Sequence, residues 1–293
     1  MMKIYRFDYK NTPIINDDFI LCLGFFDGVH LGHKSLIREA KKYNKKVNIL
    51  TFSSSFKNSD KQITPLDTKI QLFNELDIDS LFIVENTFDL RLLNAIDFIE
   101  LVLKRINPSM IVVGEDFKFG YLAKGNTDLL KQHFNTVVKE LIPFKEYKIS
   151  SSWIKKLIED GEIELANCLL DRPYTITSRI IKGLGNGSTK IGFRTINIDI
   201  DNYVIPKFGV YLVTLSLNDK NYKGIANVGI HPTIDILDKP VIEVFVDEDV
   251  DLSFNAASVV FHTFIREEKQ FENNEQLANQ IKKDIGEMYE FFK

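Results

Sequence analysis

The chain of 293 residues has two cysteines, Cys22 and Cys168, far apart in sequence. That excludes a disulfide framework and a cysteine-built zinc cluster, and both thiols are expected to be small core residues. No apolar run approaches the roughly 18 residues needed to span a bilayer. The first residues, Met1-Met2-Lys3-Ile4-Tyr5-Arg6-Phe7-Asp8, carry charges where a signal peptide has an uninterrupted apolar core. Charge of one sign is also missing: 37 basic against 41 acidic residues give a net charge of −4, with no whole-chain attraction to nucleic acid or to an anionic membrane. Internal repeats and low-complexity tracts are absent. These absences leave a cytoplasmic protein as the expectation, with no nucleic-acid or membrane partner. Self-association is left open.

What is present suits two cores. A content of 44% hydrophobic and 27% charged residues describes an ordinary globular chain, and its length fits two domains better than one. From Phe19 to about Gly161, apolar strands (Phe19–Leu23, Val47–Phe52, Ser80–Val84, Met110–Val113, Val137–Ile142) alternate with helical patterns (Leu31–Tyr43, Asp67–Leu76, Asp89–Ile106, Thr127–Phe134, Ser151–Glu159). Alternation of this kind predicts an α/β domain with a Rossmann-like parallel sheet and crossover helices. The clearest helical stripe is Leu92, Leu93, Ile96, Ile99, Leu103 and Ile106, ended by Asn107-Pro108. After about Asp171 short alternating stretches (Val210–Leu217, Val241–Val246, Ser258–Phe264) lie between turn residues, the pattern of a small antiparallel β-barrel or sandwich. A closing amphipathic helix is expected from Asn274 to Phe292, through Leu277, Ile281, Ile285 and Tyr289. The boundary falls near Leu170–Pro173, giving domains 1–170 and 171–293.

The most telling segment is Gly24-Phe25-Phe26-Asp27-Gly28-Val29-His30-Leu31-Gly32-His33. It joins a buried strand to an amphipathic helix, the position at which open α/β sheets bind nucleotides. Asp27-Gly28 gives a tight turn, and Gly32 allows close approach of a phosphate. His30 and His33, three apart, can share the face of a first helical turn, where imidazoles and unpaired N–H groups make an anion site for a triphosphate. A metal site is the rival reading, weakened by the lack of a third ligand at metal spacing. Two other segments could converge there. Gly114-Glu115-Asp116-Phe117-Lys118-Phe119-Gly120 follows another apolar strand and offers Asp116 as a polar contact and Phe117 or Phe119 as a stacking ring; a plain surface loop is the alternative. Ser150-Ser151-Ser152-Trp153-Ile154-Lys155 opens a helix with hydroxyls and a lysine one turn on, fitting either helix capping or an anion site.

The second half has its own glycine-rich turn, with Gly183, Gly185, Gly187 and Gly192 ahead of Phe193-Arg194-Thr195-Ile196-Asn197. It lacks the Gly-Lys-Ser/Thr of a P-loop but could expose backbone N–H groups to phosphate. Thr195 and Asn197, two apart on an extended segment, offer two oxygens to a hard cation such as Mg²⁺. Glu243, inside the apolar run Val241–Phe245, is either a solvent-facing barrel residue or a placed carboxylate.

In this order the motifs resemble the prokaryotic bifunctional riboflavin kinase/FAD synthetases, over nearly the whole chain. Gly24–His33 resembles the family's H-x-G-H nucleotidylyltransferase signature, Gly114–Gly120 its second motif, and Ser151-Ser152-Trp153-Ile154-Lys155 its Ser-Ser-Thr-x-Ile-Arg. Arg172-Pro173-Tyr174, Gly192–Asn197, Gly209-Val210-Tyr211, Asn227–Thr233, Glu243 and Ile265-Arg266 follow the order of the kinase module. Departures are Arg194 for proline, Ile196 for alanine, Phe245 for histidine, Lys155 for arginine and Leu252-Ser253-Phe254 for Leu-Tyr-Gly. The resemblance implies ATP-dependent phosphorylation of riboflavin to FMN and adenylylation of FMN to FAD with release of pyrophosphate. It implies ATP and Mg²⁺ as cofactors, and riboflavin, FMN and FAD as substrates and product. His30, His33 and Glu243 become catalytic candidates. Gly24, Phe25, Phe26, Asp27, Gly28, Gly32, Asp116, Ser151, Ser152, Lys155 and the four glycines become nucleotide contacts, Thr195 and Asn197 metal ligands, and Arg266 a flavin contact. A monofunctional synthetase with a degenerate kinase module, a nucleotidylyltransferase for another acceptor, and a non-catalytic flavin- or nucleotide-binding module are the rival readings.

Overall fold

The computed structural model describes residues 2–56, 61–181, 195–218, 220–230, 239–248, 250 and 254–293. The chain divides into two compact units, Met1–Ser151 and Ser152–Lys293. The first contains β1 (Lys3–Phe7), β2 (Phe19–Leu23), α1 (Leu31–Lys41), β3 (Lys46–Phe52), α2 (Leu66–Glu75), β4 (Ser80–Val84), α3 (Phe88–Leu92), α4 (Ala95–Phe98), α5 (Lys104–Ile106), β5 (Met110–Gly114), α6 (Thr127–His133), β6 (Thr136–Lys139) and a small hairpin, β7 (Pro143–Phe144) with β8 (Tyr147–Lys148). Six strands form one sheet in the order β1-β4-β3-β2-β5-β6, every pair parallel. Burial on both faces explains the unbroken apolar runs. Along β2, Phe19, Leu21 and Leu23 enter one core and Ile20 and Cys22 the other, following the two-residue pleat. From β2 the chain winds outward through β3 to β4, then returns to place β5 on β2's other side. The strand order therefore reverses between β2 and β5, and the crevice beyond their carboxyl ends is where such sheets bind ligands.

Two expectations change in this unit. The helix expected over Asp89–Ile106 is broken: α3 ends before Leu93, whose backbone is extended (φ −67°, ψ 124°), and α4 restarts with Asn94 accepting from the Asp97 N–H. The break is fixed from outside, since the Tyr121 N–H donates to the Leu93 carbonyl at 2.7 Å. Ile99–Leu103 then forms a π-helical turn between α4 and α5. Strand β1 carries no apolar run in the sequence, because as an edge strand it is only partly buried.

The second unit begins within α7 (Ser151–Asp160) and continues with α8 (Ile163–Leu170), β9 (Tyr174–Ile181), β10 (Thr195–Asp199), β11 (Gly209–Leu217), β12 (Lys220–Ile230), β13 (Pro240–Val246), β14 (Ala256–Arg266) and α9 (Asn274–Phe291). The strands close a barrel in the order β10-β13-β12-β11-β14-β9, with all pairs antiparallel. The outer barrel face carries a second apolar patch, Val210, Leu212, Ile225 and Phe245, covered by Met288 and Ile285 of α9. Phe245, where the family pattern has histidine, is thus a packing residue. Cys22 is buried and its thiol is pushed up to about 12 by desolvation, but Cys168 is exposed, contrary to the expectation of two core cysteines. Its helix buries Ile163, Ala166, Leu169 and Leu170, leaving position 168 off the buried stripe.

Helix α8 packs on β9 and β14. The Asn167 amide donates to the Phe261 carbonyl at 2.9 Å while its oxygen accepts from the Tyr174 N–H at 2.6 Å. Residues 152–170 therefore fold with the barrel. A fragment starting at residue 171 should lose stability on the order of 5 kcal/mol relative to one starting at 152, because the burial of Ile163, Leu169 and Leu170 against the barrel is lost with them. Urea unfolding checks this: residues 152–293 should unfold cooperatively, and residues 171–293 should not.

Candidate functional site

The turn after β2 is built from strained backbone. Phe26 and Val29 lie in the left-handed region (φ 56° and 42°), as does Gly28 (φ 89°). A left-handed non-glycine residue costs roughly 1–2 kcal/mol and persists only when its surroundings over-determine it. Val29 is fully buried, and the Phe26 ring lies in the core edge-on to Phe73 at 5.6 Å. The Asp27 carboxylate accepts from the N–H groups of Ile63 (2.8 Å) and Thr64 (3.1 Å), and the Gly28 N–H donates to the Thr64 hydroxyl at 2.8 Å. On the other flank the Phe25 carbonyl accepts from the Thr51 hydroxyl and from the Lys69 ammonium, each at 3.0 Å.

This turn delivers His30 to the N-cap of α1, where its Nδ1 accepts from the His33 N–H at 3.4 Å. His30 Nε2 lies 3.4 Å from the Ser151 hydroxyl, which itself donates to the Asp27 carbonyl at 2.8 Å. With Nδ1 turned to the His33 N–H, Nε2 is the ring nitrogen that faces the Ser151 hydroxyl. The two imidazoles stack with centroids 3.7 Å apart and planes 20° from parallel. A Cβ on Gly32 would meet the His30 ring at 3.0 Å, so any larger residue here would press the ring out of its present position. His30 is 4% exposed and His33 half-buried, both on the first turn of a helix whose N-terminus favours anions.

The second motif opens at the same crevice, because Gly114 ends β5 beside β2. The Phe117 N–H closes a turn on the Gly114 carbonyl at 3.1 Å, placing Asp116 within it. Glu115 pairs with Lys148 at 2.7 Å, which holds its carboxyl below the usual range. Further along the sheet edge lies a cavity of about 400 Å³ lined by Phe52, Phe56, Leu90, Phe98 and Phe119 together with Arg91 and Lys118. Phe119 stacks on Phe117 (5.8 Å, 18°) and tilts against Phe98 at 5.8 Å.

In the barrel unit, register brings the expected residues together. Glu243 of β13 is the direct neighbour of Asn197 on β10 and of Asn227 on β12. Phe245 and Ile225 lie on the outer face under α9, so the two-residue pleat puts Glu243, Asn197, Asn227 and Thr195 on that face too. Thr195 and Asn197 therefore point the same way, as expected. The Asn227 amide donates to Glu268 at 3.0 Å. Arg266 forms a bidentate pair with the buried Asp284 of α9 (3.1 and 2.6 Å), and Gln280 also donates to that carboxylate at 2.7 Å. The Arg266 fork is thus occupied in fastening the closing helix. Gly183, Gly185, Gly187, Gly192, Arg194 and His231-Pro232-Thr233 lie outside the described residues.

Among the sequence candidates, Gly24, Phe25, Phe26, Asp27, Gly28, His30, Gly32, His33 and Ser151 thus meet in one turn, with Asp116 beyond the neighbouring strand. The core position of the Phe26 ring leaves only its backbone to serve a ligand. Ser152 and Lys155, one and four residues along α7, belong to the second unit. Sequence reasoning singles out none of Lys69, Thr51 and Glu268, and gives Asn227 only as part of a kinase-module motif. For Lys69 a signal existed, since it shares the buried face of α2 with Phe73, four residues on.

Comparison with known proteins matches residues 13–155 to the FAD synthetase family and residues 170–292 to the riboflavin kinase family. Chains named bifunctional riboflavin kinase/FMN adenylyltransferase are similar along their length: 32% identity to that of Listeria monocytogenes (97% of each chain), 33% to that of Bacillus subtilis (93% of this chain, 92% of the relative) and 30% to that of Escherichia coli (99% and 98%). A solved structure described as a macrolide-efflux protein from Streptococcus pneumoniae superposes with a TM-score of 0.86 at 25% identity, covering 97% of this chain and 98% of that one. Among the described residues here, no helix is long and apolar enough to cross a membrane.

The two histidines should separate by experiment. His33→Ala and His30→Ala should each lower turnover at this site about 10²–10³-fold, the scale for losing one placed charge-stabilising donor. His30→Ala should also lose about 1 kcal/mol of stability with its cap, which His33→Ala should keep. Steady-state kinetics and denaturant melts of both variants check the split.

Proposed function

The chain belongs to the bifunctional riboflavin kinase/FMN adenylyltransferase family, and on that premise we propose which residues carry each of its two activities. It phosphorylates riboflavin to FMN and adenylylates FMN to FAD; both family regions are present, so a monofunctional or non-catalytic reading is not favoured. Adenylyl transfer is assigned to residues 1–170 and phosphorylation to 171–293, with 152–170 packing alongside the barrel.

In adenylyl transfer a phosphate oxygen of FMN attacks the α-phosphorus of ATP, and pyrophosphate leaves. The nucleophile is already an anion, so no general base is needed. The observation carrying this reading is the stacked pair His30–His33 at the N-terminus of α1, beside the crevice at the β2–β5 switch point. The imidazole N–H groups and the backbone from Gly24 to Gly32 would hold the triphosphate and stabilise charge gained on reaching the transition state. Asp116 and Ser151 are proposed as further nucleotide contacts within this unit. The aromatic cavity suits the flat isoalloxazine ring, with Lys118 in its lining suited to the FMN phosphate.

In phosphorylation a ribityl hydroxyl attacks the γ-phosphorus, its proton passes to the Glu243 carboxylate, and ADP leaves. Asn197 and Asn227 flank that carboxylate on both neighbouring strands and would orient it. Thr195 and Asn197 supply hard oxygens suited to Mg²⁺, which keeps few protein ligands when phosphates complete its shell. When bound, Mg²⁺ would neutralise charge across the ATP phosphates. Gly183, Gly185, Gly187 and Gly192 are proposed to cradle those phosphates. Arg266, tied to Asp284, would reach flavin only in part and mainly hold α9 in place. Two free thiols and the nature of the substrates favour a cytoplasmic location.

Incubating the pure protein with riboflavin, ATP and Mg²⁺ and separating the flavins tests both activities together. Glu243→Gln should cut FMN formation roughly 10²–10⁴-fold while FAD formation from supplied FMN is unchanged. Full kinase turnover in that variant would make Glu243 a barrel-surface residue without a chemical role.

A further inference from the structure

Lys69 is fully buried, and neither step above uses it. It sits on α2, four residues before Phe73, and the two side chains reach the turn after β2 from below. Phe73 meets the Phe26 ring edge-on at 5.6 Å, while the Lys69 ammonium lies 3.9 Å from the centre of the Phe25 ring and donates to the Phe25 carbonyl at 3.0 Å. Burying an ammonium is costly, and nothing about packing α2 requires a charge at this position. Among the described residues it donates to the carbonyl that precedes left-handed Phe26. In a trans peptide the C=O and the following N–H point in opposite directions. Drawing the Phe25 carbonyl toward Lys69 and Thr51 therefore turns the Phe26 N–H the other way. It also fixes where the chain enters the Asp27-Gly28 turn and, through it, the His30 cap.

We propose that Lys69 is a positioning residue for adenylyl transfer: its buried ammonium sets the peptide plane from which the turn presents its N–H groups and its histidines. The inference rests on the assignment of adenylyl transfer to this turn. Thr51 is its uncharged partner, donating to the same carbonyl at 3.0 Å. Asp27, on the far side of the turn, is the charge that favours the ammonium, and His30 and His33 are the other titratable groups there. Burial outweighs Asp27 and pushes the lysine down to about 8. The clamp is therefore charged at neutral pH and loses its charge as pH rises through about 8, leaving an amine that no longer attracts the Phe25 ring face or Asp27.

The test uses the full chain, following FAD formation from FMN and ATP from about pH 7 to about pH 9.5, a range that brackets the depressed lysine and stays below its ordinary value. Wild-type kcat should fall above about pH 8. Lys69→Met should lower kcat about 10²-fold, the scale for a small misplacement of catalytic groups, with a far smaller change in KM for ATP and no alkaline limb. Thr51→Val should lower kcat less and keep the limb, and riboflavin phosphorylation should be unchanged in both. Three results would each overturn the proposal: wild-type kcat in Lys69→Met, a loss in that variant with the limb intact, or a flat wild-type profile. If Lys69→Met does not fold, the wild-type profile and Thr51→Val decide. A wild-type protein that makes no FAD at any pH would instead remove the assignment of the turn.

Discussion

Holding the chain left-handed at Phe26, Gly28 and Val29 requires restraint from several directions, because two of these residues pay the full steric cost of that conformation. The restraint comes from three sources that are distant in sequence. The Phe26 and Val29 side chains are sealed in the core, the Asp27 carboxylate is tied to the backbone of residues 63 and 64, and the Phe25 carbonyl is tied to β3 and α2. With those in place the direction of α1, the stacking of His30 on His33 and the link through Ser151 all follow. The histidines are therefore less a local motif than the tip of a structure anchored in the strands and helices on both sides.

The two halves place chemistry where their architectures leave room. A parallel sheet is covered on both faces, so its carboxyl edge is the surface left for a ligand, and the strand-order reversal opens a crevice there. A six-stranded closed barrel has its interior filled by Ile198, Val228, Ile242 and Val244, so polar groups that must meet a substrate stand on the outer face. The same outer face carries the apolar patch under α9, and the Arg266–Asp284 pair fastens that helix. Glu243 and Asn197 thus lie beside a packed, rigid patch rather than on a loop, which suits groups that must be held in register.

Much of this was legible before any tertiary contact was known. The strand-turn-helix around Gly24–His33, the alternation of strands and helices, the change of texture after Asp171 and the closing helix all follow from periodicity and turn residues, which report local geometry directly. The extended segment Thr195–Asn197 predicted two oxygens on one face, and the register agrees. Local pattern failed where a distant contact overruled it. The stripe from Leu92 to Ile106 reads as one helix, yet the Tyr121 N–H captures the Leu93 carbonyl and breaks it. Cys168 reads as core, yet it falls off the buried stripe of α8.

The sequence by itself determined the two architectures, the strand-turn-helix of the signature and the candidate chemistry of each half, because backbone periodicity, turn stereochemistry and residue type are properties of short segments. Only the tertiary structure decided that Glu243 stands between Asn197 and Asn227, that Arg266 is taken by Asp284, that the Phe26 ring belongs to the core, and that a lysine from α2 lies under the signature turn. Each of these depends on which segments, remote in the chain, share one burial environment. There the cost of an unpaired polar group or charge, rather than any local preference, selects the partner.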